Sequence, residues 1–182
     1  YSLVVSNQPL GTVSYSAVAT DDQGVTATSK AVAVTVRKNT NAAPLTLQLL
    51  HASDLEASLD AVTDAPAFSS VLAALAATYP TNTLILSSGD NYIPGPFFNA
   101  AGDAASGFNG VAGRADIAML NAMGFQASAF GNHEFDAGTP QVNSLLGADA
   151  AVGYAGTRFP YLSANLDFSP DSSLRRRVAA DG

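Results

Sequence analysis

Apolar and polar residues alternate with a period of two through the opening of the chain and then change rhythm. In "TVSYSAVAT" (12–20), Val13, Tyr15, Ala17 and Ala19 fall on one face, and Ser14, Ser16 and Thr20 on the other. "SKAVAVTVR" (29–37) alternates again, placing Val32, Val34 and Val36 together, and the intervening "DDQG" supplies turn residues. This predicts a β-hairpin with one apolar face, preceded by a further strand at "YSLVVS" (1–6). Three strands do not close a sandwich core by themselves. "KNTNAAP" (38–44) reads as a linker.

From Leu45 the pattern is that of an α/β unit. "LTLQLLH" (45–51) is a nearly continuous apolar run and "NTLILSSGDN" (82–91) a second, the signature of parallel strands buried on both faces. "AFSSVLAALAATYP" (67–80) carries Phe68, Val71, Leu72 and Leu75 at helical spacing and stops at Pro80. "ADIAMLNAMG" (115–124) predicts a second helix, with Ile117, Leu120 and Met123 on one side and Gly124 as its stop. "FQASAFGN" (125–132) and "FPYLSANLDF" (159–168) supply a third and a fourth strand. Strands alternating with helices at these spacings predict a parallel sheet with crossover helices. The expected division is therefore 1–38 as terminal strands of an all-β repeat, 39–44 as linker and 45–182 as part of an α/β domain. The chain opens on Tyr1 in mid-pattern, which reads as a piece or a processed product, so a missing leader peptide carries no information.

Composition narrows the function. With no cysteine there is neither a disulfide framework nor a thiolate metal site. No run reaches the 18 or so apolar residues needed to span a bilayer. The net charge of −7 is uneven: residues 1–44 carry Lys30, Arg37 and Lys38 against Asp21 and Asp22, whereas the remainder carries five arginines against 13 acids. Such a surface repels a phosphate backbone and argues against nucleic-acid binding. It is compatible with bound divalent cations.

The acids are not scattered. Each of the first three strands of the α/β region ends in polar residues: Asp54 and Glu56, then Asp90 and Asn91, then Asn132, His133, Glu134 and Asp136. In open α/β sheets, the loops beyond the strands' carboxyl ends build the ligand site. Several carboxylates gathered there repel one another unless cations lie between them. Oxygen donors with an imidazole suit Zn, Mn, Fe, Mg or Ca. The long segment 94–114, with five glycines, follows Asp90 closely. Two readings fit it: with Asn91, its Phe97 and Phe98 border a substrate pocket, or it is a plain surface insertion. The only other histidine, His51, reads as structural, and "RRR" (175–177) as a solvated face.

The ordered set "SDLE", "SSGDN" and "FGNHEFD" resembles the calcineurin-like metallophosphoesterases, and within them the secreted or periplasmic 5′-nucleotidase and sugar-nucleotide hydrolase group. "SANLDF" (163–168) resembles the strand that follows in that group. The opening hairpin is similar to the end of bacterial immunoglobulin-like or cadherin-like repeats. The resemblance implies a partial metallophosphoesterase α/β sandwich and two divalent metal ions. It implies Asp54 as a ligand of one metal, Asp90 as a bridge and Asn132 as a ligand of the other. His133 would face the scissile phosphate, Asp136 would orient it, and a metal-held hydroxide would attack phosphorus. Asn132 and His133 would thus also bind substrate. Glu56 stands where the group's pattern has a histidine; it is either a harder ligand or no ligand at all. The group's downstream histidines lie outside these 182 residues, so the chain as given is expected to hold part of a site and to be inactive alone. The implied substrate is a nucleotide phosphomonoester, with cyclic or sugar-linked nucleotides as alternatives, and the implied location is periplasmic, cell-surface or extracellular, with further domains on the same chain. The rival from another class is a non-catalytic cell-surface protein with a degenerate phosphoesterase scaffold. A calcium site without catalysis is a third, opposed by the His133–Asp136 pairing, for which calcium has little use.

Overall fold

The computed structural model describes residues 8–20, 23–38, 44–55 and 59–179. The strand expected at 1–6, most of the linker, the turn residues Asp21 and Asp22, and Glu56 lie outside the described residues. The chain divides into two compact units, Tyr1–Leu45 and Thr46–Gly182.

The first unit is antiparallel. Its strands are β1 (Gly11–Tyr15), β2 (Val18–Thr20), β3 (Thr26–Thr28) and β4 (Val32–Val36), with β1 paired to β4 and β2 to β3. The hairpin is as expected, but the 12–20 run is broken into β1 and β2, and β3 lies ahead of the 29–37 run, which holds β4 alone. Ser29 makes the break: its backbone N–H donates to the Ala17 carbonyl, and its Oγ accepts the Ala17 N–H, both at 2.8 Å. A side chain has thus replaced a ladder partner. The register pairs Val13 with Val34 and Tyr15 with Val32, which gathers the apolar residues on one face. That face is open, with Val32 and Val34 both exposed.

The second unit contains a four-stranded parallel sheet in sequence order, β5 (Gln48–Ala52), β6 (Thr83–Ser87), β7 (Ala127–Ala129) and β8 (Tyr161–Leu162). Its helices are α1 (Ala61–Ala76), α2 (Pro96–Ala100), α3 (Arg114–Met123) and α4 (Thr139–Leu146). The α/β class and the parallel sheet are as the pattern predicted. Ile117, Leu120, Leu145, Phe98, Tyr92 and Phe159 form the heart of the core. α3 ends as expected at Gly124, whose φ of +82° is readily reached only without a Cβ.

Four expectations are corrected. The strands are not buried on both faces: Leu49 is 57% exposed and Leu84 is exposed as well, so β5 alternates and only one side of the sheet is covered. α1 starts six residues before the apolar stretch that signalled it, and it contains Pro66. The carbonyl that Pro66 leaves without a helix partner belongs to Val62, on the exposed side. Of the α1 stripe, Leu72 is buried and Phe68 partly so, whereas Val71 and Leu75 are exposed. The fourth strand stops at Leu162, so "SANLDF" is not a strand; the Ser163 hydroxyl accepts the Leu166 N–H and turns the chain. The 94–114 segment is not a plain surface insertion, since Phe98 and Ala101 are buried. It contains α2 and a 3-10 turn (Ala104–Ser106), and Arg114 closes it by donating to the Phe108 carbonyl (3.0 Å) and to Asp149 (2.9 Å) while lying over the Tyr154 ring.

Candidate metal and phosphate site

The loops after β5, β6 and β7 are stitched together by named bonds. The Asp54 N–H donates to the Gly89 carbonyl (3.2 Å), joining the first loop to the second. The Asp90 carboxylate accepts the His133 N–H (2.9 Å), joining the second to the third. Asp54 and Asp90 both have positive φ, at 54° and 50°. That region is uncommon for residues with a Cβ, and a surrounding structure must hold it. Two strand-end acids in this conformation mark loops shaped for a purpose other than chain reversal.

The clamp is Glu134. It is 1% exposed, and its two carboxylate oxygens take four hydrogen bonds. Oε1 accepts from the Asn91 N–H (2.8 Å) and the Asn91 side-chain amide (3.0 Å). Oε2 accepts from the Asp90 N–H (2.9 Å) and the Gly131 N–H (2.7 Å). A buried carboxylate is tolerable only with such partners. The glycines fit the same contact. A Cβ on Gly89 would collide with the backbone of Gly131, and a Cβ on Gly131 would collide with the Asp90 carboxylate.

His133 opens a 3-10 turn (His133–Phe135), and its Nδ1 lies 2.7 Å from Asp136 Oδ2. A carboxylate at that distance fixes the ring and its tautomer, with Nδ1–H donating and Nε2 facing away. Asn132, just before the turn, is exposed.

Asn91 is not simply an edge residue. It is buried; its amide donates to Ser128 Oγ and Tyr161 O–H as well as to Glu134, and its Oδ1 accepts from Ser87 Oγ (2.6 Å). It also lines a cleft of about 420 Å³ that includes Asp54, Phe68 and Asp116. Phe98 packs inward against Tyr92 with ring centroids 5.7 Å apart, and Phe97 is half-buried. From the sequence Glu134 reads as a structural or supporting residue rather than a directly catalytic one, and its four bonds to Asp90, Asn91 and Gly131 agree. A carboxylate just after the His133 position, inside a glycine-bracketed turn, was the available signal.

Asp54, Asp90 and Asn132 supply oxygen donors from three joined loops, which suits a hard or borderline divalent ion. Among the described residues, however, no group of three or more His, Asp or Glu side chains is close enough to hold a metal ion. The two-metal cluster implied by the resemblance is therefore not assembled by these residues alone.

No protein-family model matches the chain. A curated relative, the trifunctional nucleotide phosphoesterase protein YfkN of Bacillus subtilis (strain 168), is 38% identical over 88 residues, covering 43% of this chain and 6% of that protein. The likeness is to a nucleotide phosphoesterase. It agrees with the group that the three strand-end motifs resemble. Among solved structures, the chain is similar to the NAD nucleotidase NadN of Haemophilus influenzae (27% identity, TM-score 0.46, 65% of this chain and 20% of that one). It is also similar to a 5′-nucleotidase precursor from Thermus thermophilus (23% identity, TM-score 0.48, 71% and 24%). The chain thus spans a small fraction of each protein's length.

Proposed function

We propose that this chain is part of a metal-dependent phosphoric ester hydrolase acting on nucleotides, most simply a 5′-nucleotidase-like phosphomonoesterase. The observation that carries the reading is the His133–Asp136 pair at 2.7 Å, on a loop bonded to the Asp90 carboxylate through the His133 N–H. A turn needs neither; a site that must present an oriented imidazole beside acidic loops needs both. The motif order and the 38%-identical curated relative support the same class.

Asp54, Asp90 and Asn132 would hold two divalent metal ions, with Glu56 as a further candidate outside the described residues. When bound, the metal supplies Lewis-acid stabilisation of the phosphoryl oxygens. The chain's own residues do the rest. Asp136 keeps the His133 ring in one tautomer. His133 stabilises developing charge on the phosphoryl group or gives a proton to the leaving oxygen. Glu134 keeps the Asp90 and His133 loops in register.

In this reading residues 45–182 are the opening part of the catalytic domain. Residues 1–38 end an immunoglobulin-like repeat, 39–44 link the two, and further domains complete the site and its specificity. Export to the periplasm, the cell surface or the medium fits that layout. Among the described residues, no helix is long and apolar enough to cross a membrane. A second reading, a non-catalytic surface protein with a degenerate scaffold, is favoured by one observation: the described acids do not converge as a three-residue metal cluster.

The test is product formation by the full-length protein after metal removal and resupply: inorganic phosphate from AMP, the ring-opened nucleoside monophosphate from a cyclic nucleotide, and nucleoside monophosphate with sugar phosphate from a sugar nucleotide. Metal-dependent turnover of AMP above the other two supports the proposal. Preference for either of the others transfers the site to diester or diphosphate chemistry. No turnover on any of the three favours the scaffold.

A further inference from the structure

Asn91 has no task in the chemistry above, yet its side chain lies at the centre of a buried polar cluster with Ser87, Ser128 and Glu134. Burying a primary amide is costly, and apolar groups of the same shape would fill the space at about equal stability. Its presence points to a demand other than packing.

The bonds show what the demand is. Oδ1 accepts from Ser87 Oγ at the end of β6 (2.6 Å). Nδ2 donates to Glu134 Oε1 (3.0 Å), to Ser128 Oγ in β7 (2.9 Å) and to the Tyr161 hydroxyl in β8 (3.2 Å). The amide is held in one sense, because turning it over would set Oδ1 against the Glu134 carboxylate. From these partners the bonds run on to each loop of the site. Ser87 Oγ accepts the Gly89 N–H (3.1 Å), and the Gly89 carbonyl accepts the Asp54 N–H. Glu134 Oε1 takes both of its bonds from Asn91, which aims Oε2 at the Asp90 and Gly131 N–H groups. The Asp90 carboxylate in turn accepts the His133 N–H. Asp54 and Asp90 both hold positive φ, a conformation that surrounding bonds must enforce. A fully connected buried network of this kind specifies one arrangement.

We propose that Asn91 is a positioning residue: acting through Ser87 and Glu134, it sets the places of Asp54, Asp90 and His133 relative to one another. What the placement serves rests on the phosphoesterase reading; the placement itself does not. The first arm of the test is therefore amide hydrogen exchange of the full-length protein without metal or substrate, resolved to single residues by fragmentation mass spectrometry. The Gly131 and His133 N–H groups bond to Glu134 and Asp90, not to Asn91. In Asn91→Ala their exchange is expected to accelerate at least about tenfold, while Ile117 and Leu120 in α3 keep their protection. A residue that only fills space would loosen its own neighbours or the whole unit instead. Tyr161→Phe keeps the ring and removes one acceptor from the amide, so it reads the same network if Asn91→Ala fails to fold. It should accelerate the same two groups about 2–10-fold, the scale of one hydrogen bond. Unchanged exchange at Gly131 and His133 in both variants, or acceleration of the same size throughout α3, would overturn the proposal. In the second arm, Asn91→Ala should lower kcat on AMP at least about tenfold; kcat equal to that of an active wild type would also overturn it. A wild type silent on AMP, with exchange accelerated as stated, would sink the phosphoesterase reading and support the positioning role.

Discussion

Replacing Glu134 by glutamine is nearly isosteric, yet it should be among the most damaging single changes in the unit. The reason is the division of labour between its oxygens. Each accepts two hydrogen bonds, Oε1 from Asn91 and Oε2 from Asp90 and Gly131, and all four donors are N–H groups. An amide keeps one oxygen and puts an NH2 where the other was. Whichever way the glutamine turns, two N–H donors then face a donor. Hydrogen bonds to a charged group contribute roughly 1.5–3 kcal/mol each, so losing two costs about 3–6 kcal/mol before any relaxation. The assay is urea denaturation of wild type and Glu134→Gln followed by circular dichroism. A loss near that size, with the denaturant slope unchanged, is the expected result. A loss under about 0.5 kcal/mol, typical of a surface change, would refute the claim that this carboxylate clamps the loops. Catalysis should fail with it, since Asp90 and His133 depend on the same contact.

Further outcomes follow from other parts of the site. Burial pushes the Asp116 carboxyl up to about 7 from an ordinary 3.8, so its folding contribution is fully present below pH 3.8 and lost as pH rises through 7. Asp116→Asn removes that titration, and its stability relative to wild type should improve by roughly 2–3 kcal/mol between about pH 5 and pH 8 in parallel urea melts; no change across that window would contradict the burial of a charge there. Gly131→Ala, which drives a methyl into the Asp90 carboxylate, should cost about 1–3 kcal/mol or more of stability in the same assay. Asp136→Asn should lower metal-dependent turnover about 10–100-fold with little change in stability, because Asp136 is exposed and, in the proposed function, would act through the imidazole that it contacts.

Much of the α/β unit was legible because parallel strands and their helices leave strong periodic traces. Gly124 marked the end of α3, and the runs at 45–51 and 82–91 marked the first two strands, found at 48–52 and 83–87. The errors share a physical origin. An apolar run reports that a strand is apolar, not whether anything covers it, so the exposure of Leu49 could not be read from "LTLQLL". The start of α1 was hidden because "AVTDAPAF" lacks a stripe and contains Pro66, yet the helical turns begin there nonetheless. In the 94–114 segment, glycine content obscured the inward packing of Phe98 and Ala101. At the site, the pairing of His133 with Asp136 followed from the resemblance, whereas the Glu134 clamp reaches Asn91, 43 residues away, and the local pattern marks Glu134 without naming that partner.

The most direct test of the account is phosphate release from AMP by the metal-stripped full-length protein given Mn, Zn or Ca, run beside His133→Ala. The account predicts metal-dependent turnover that falls at least about a hundredfold in the variant, the scale of one lost acid–base or charge-stabilising group. Equal turnover in the two proteins, or none with any metal, would contradict it.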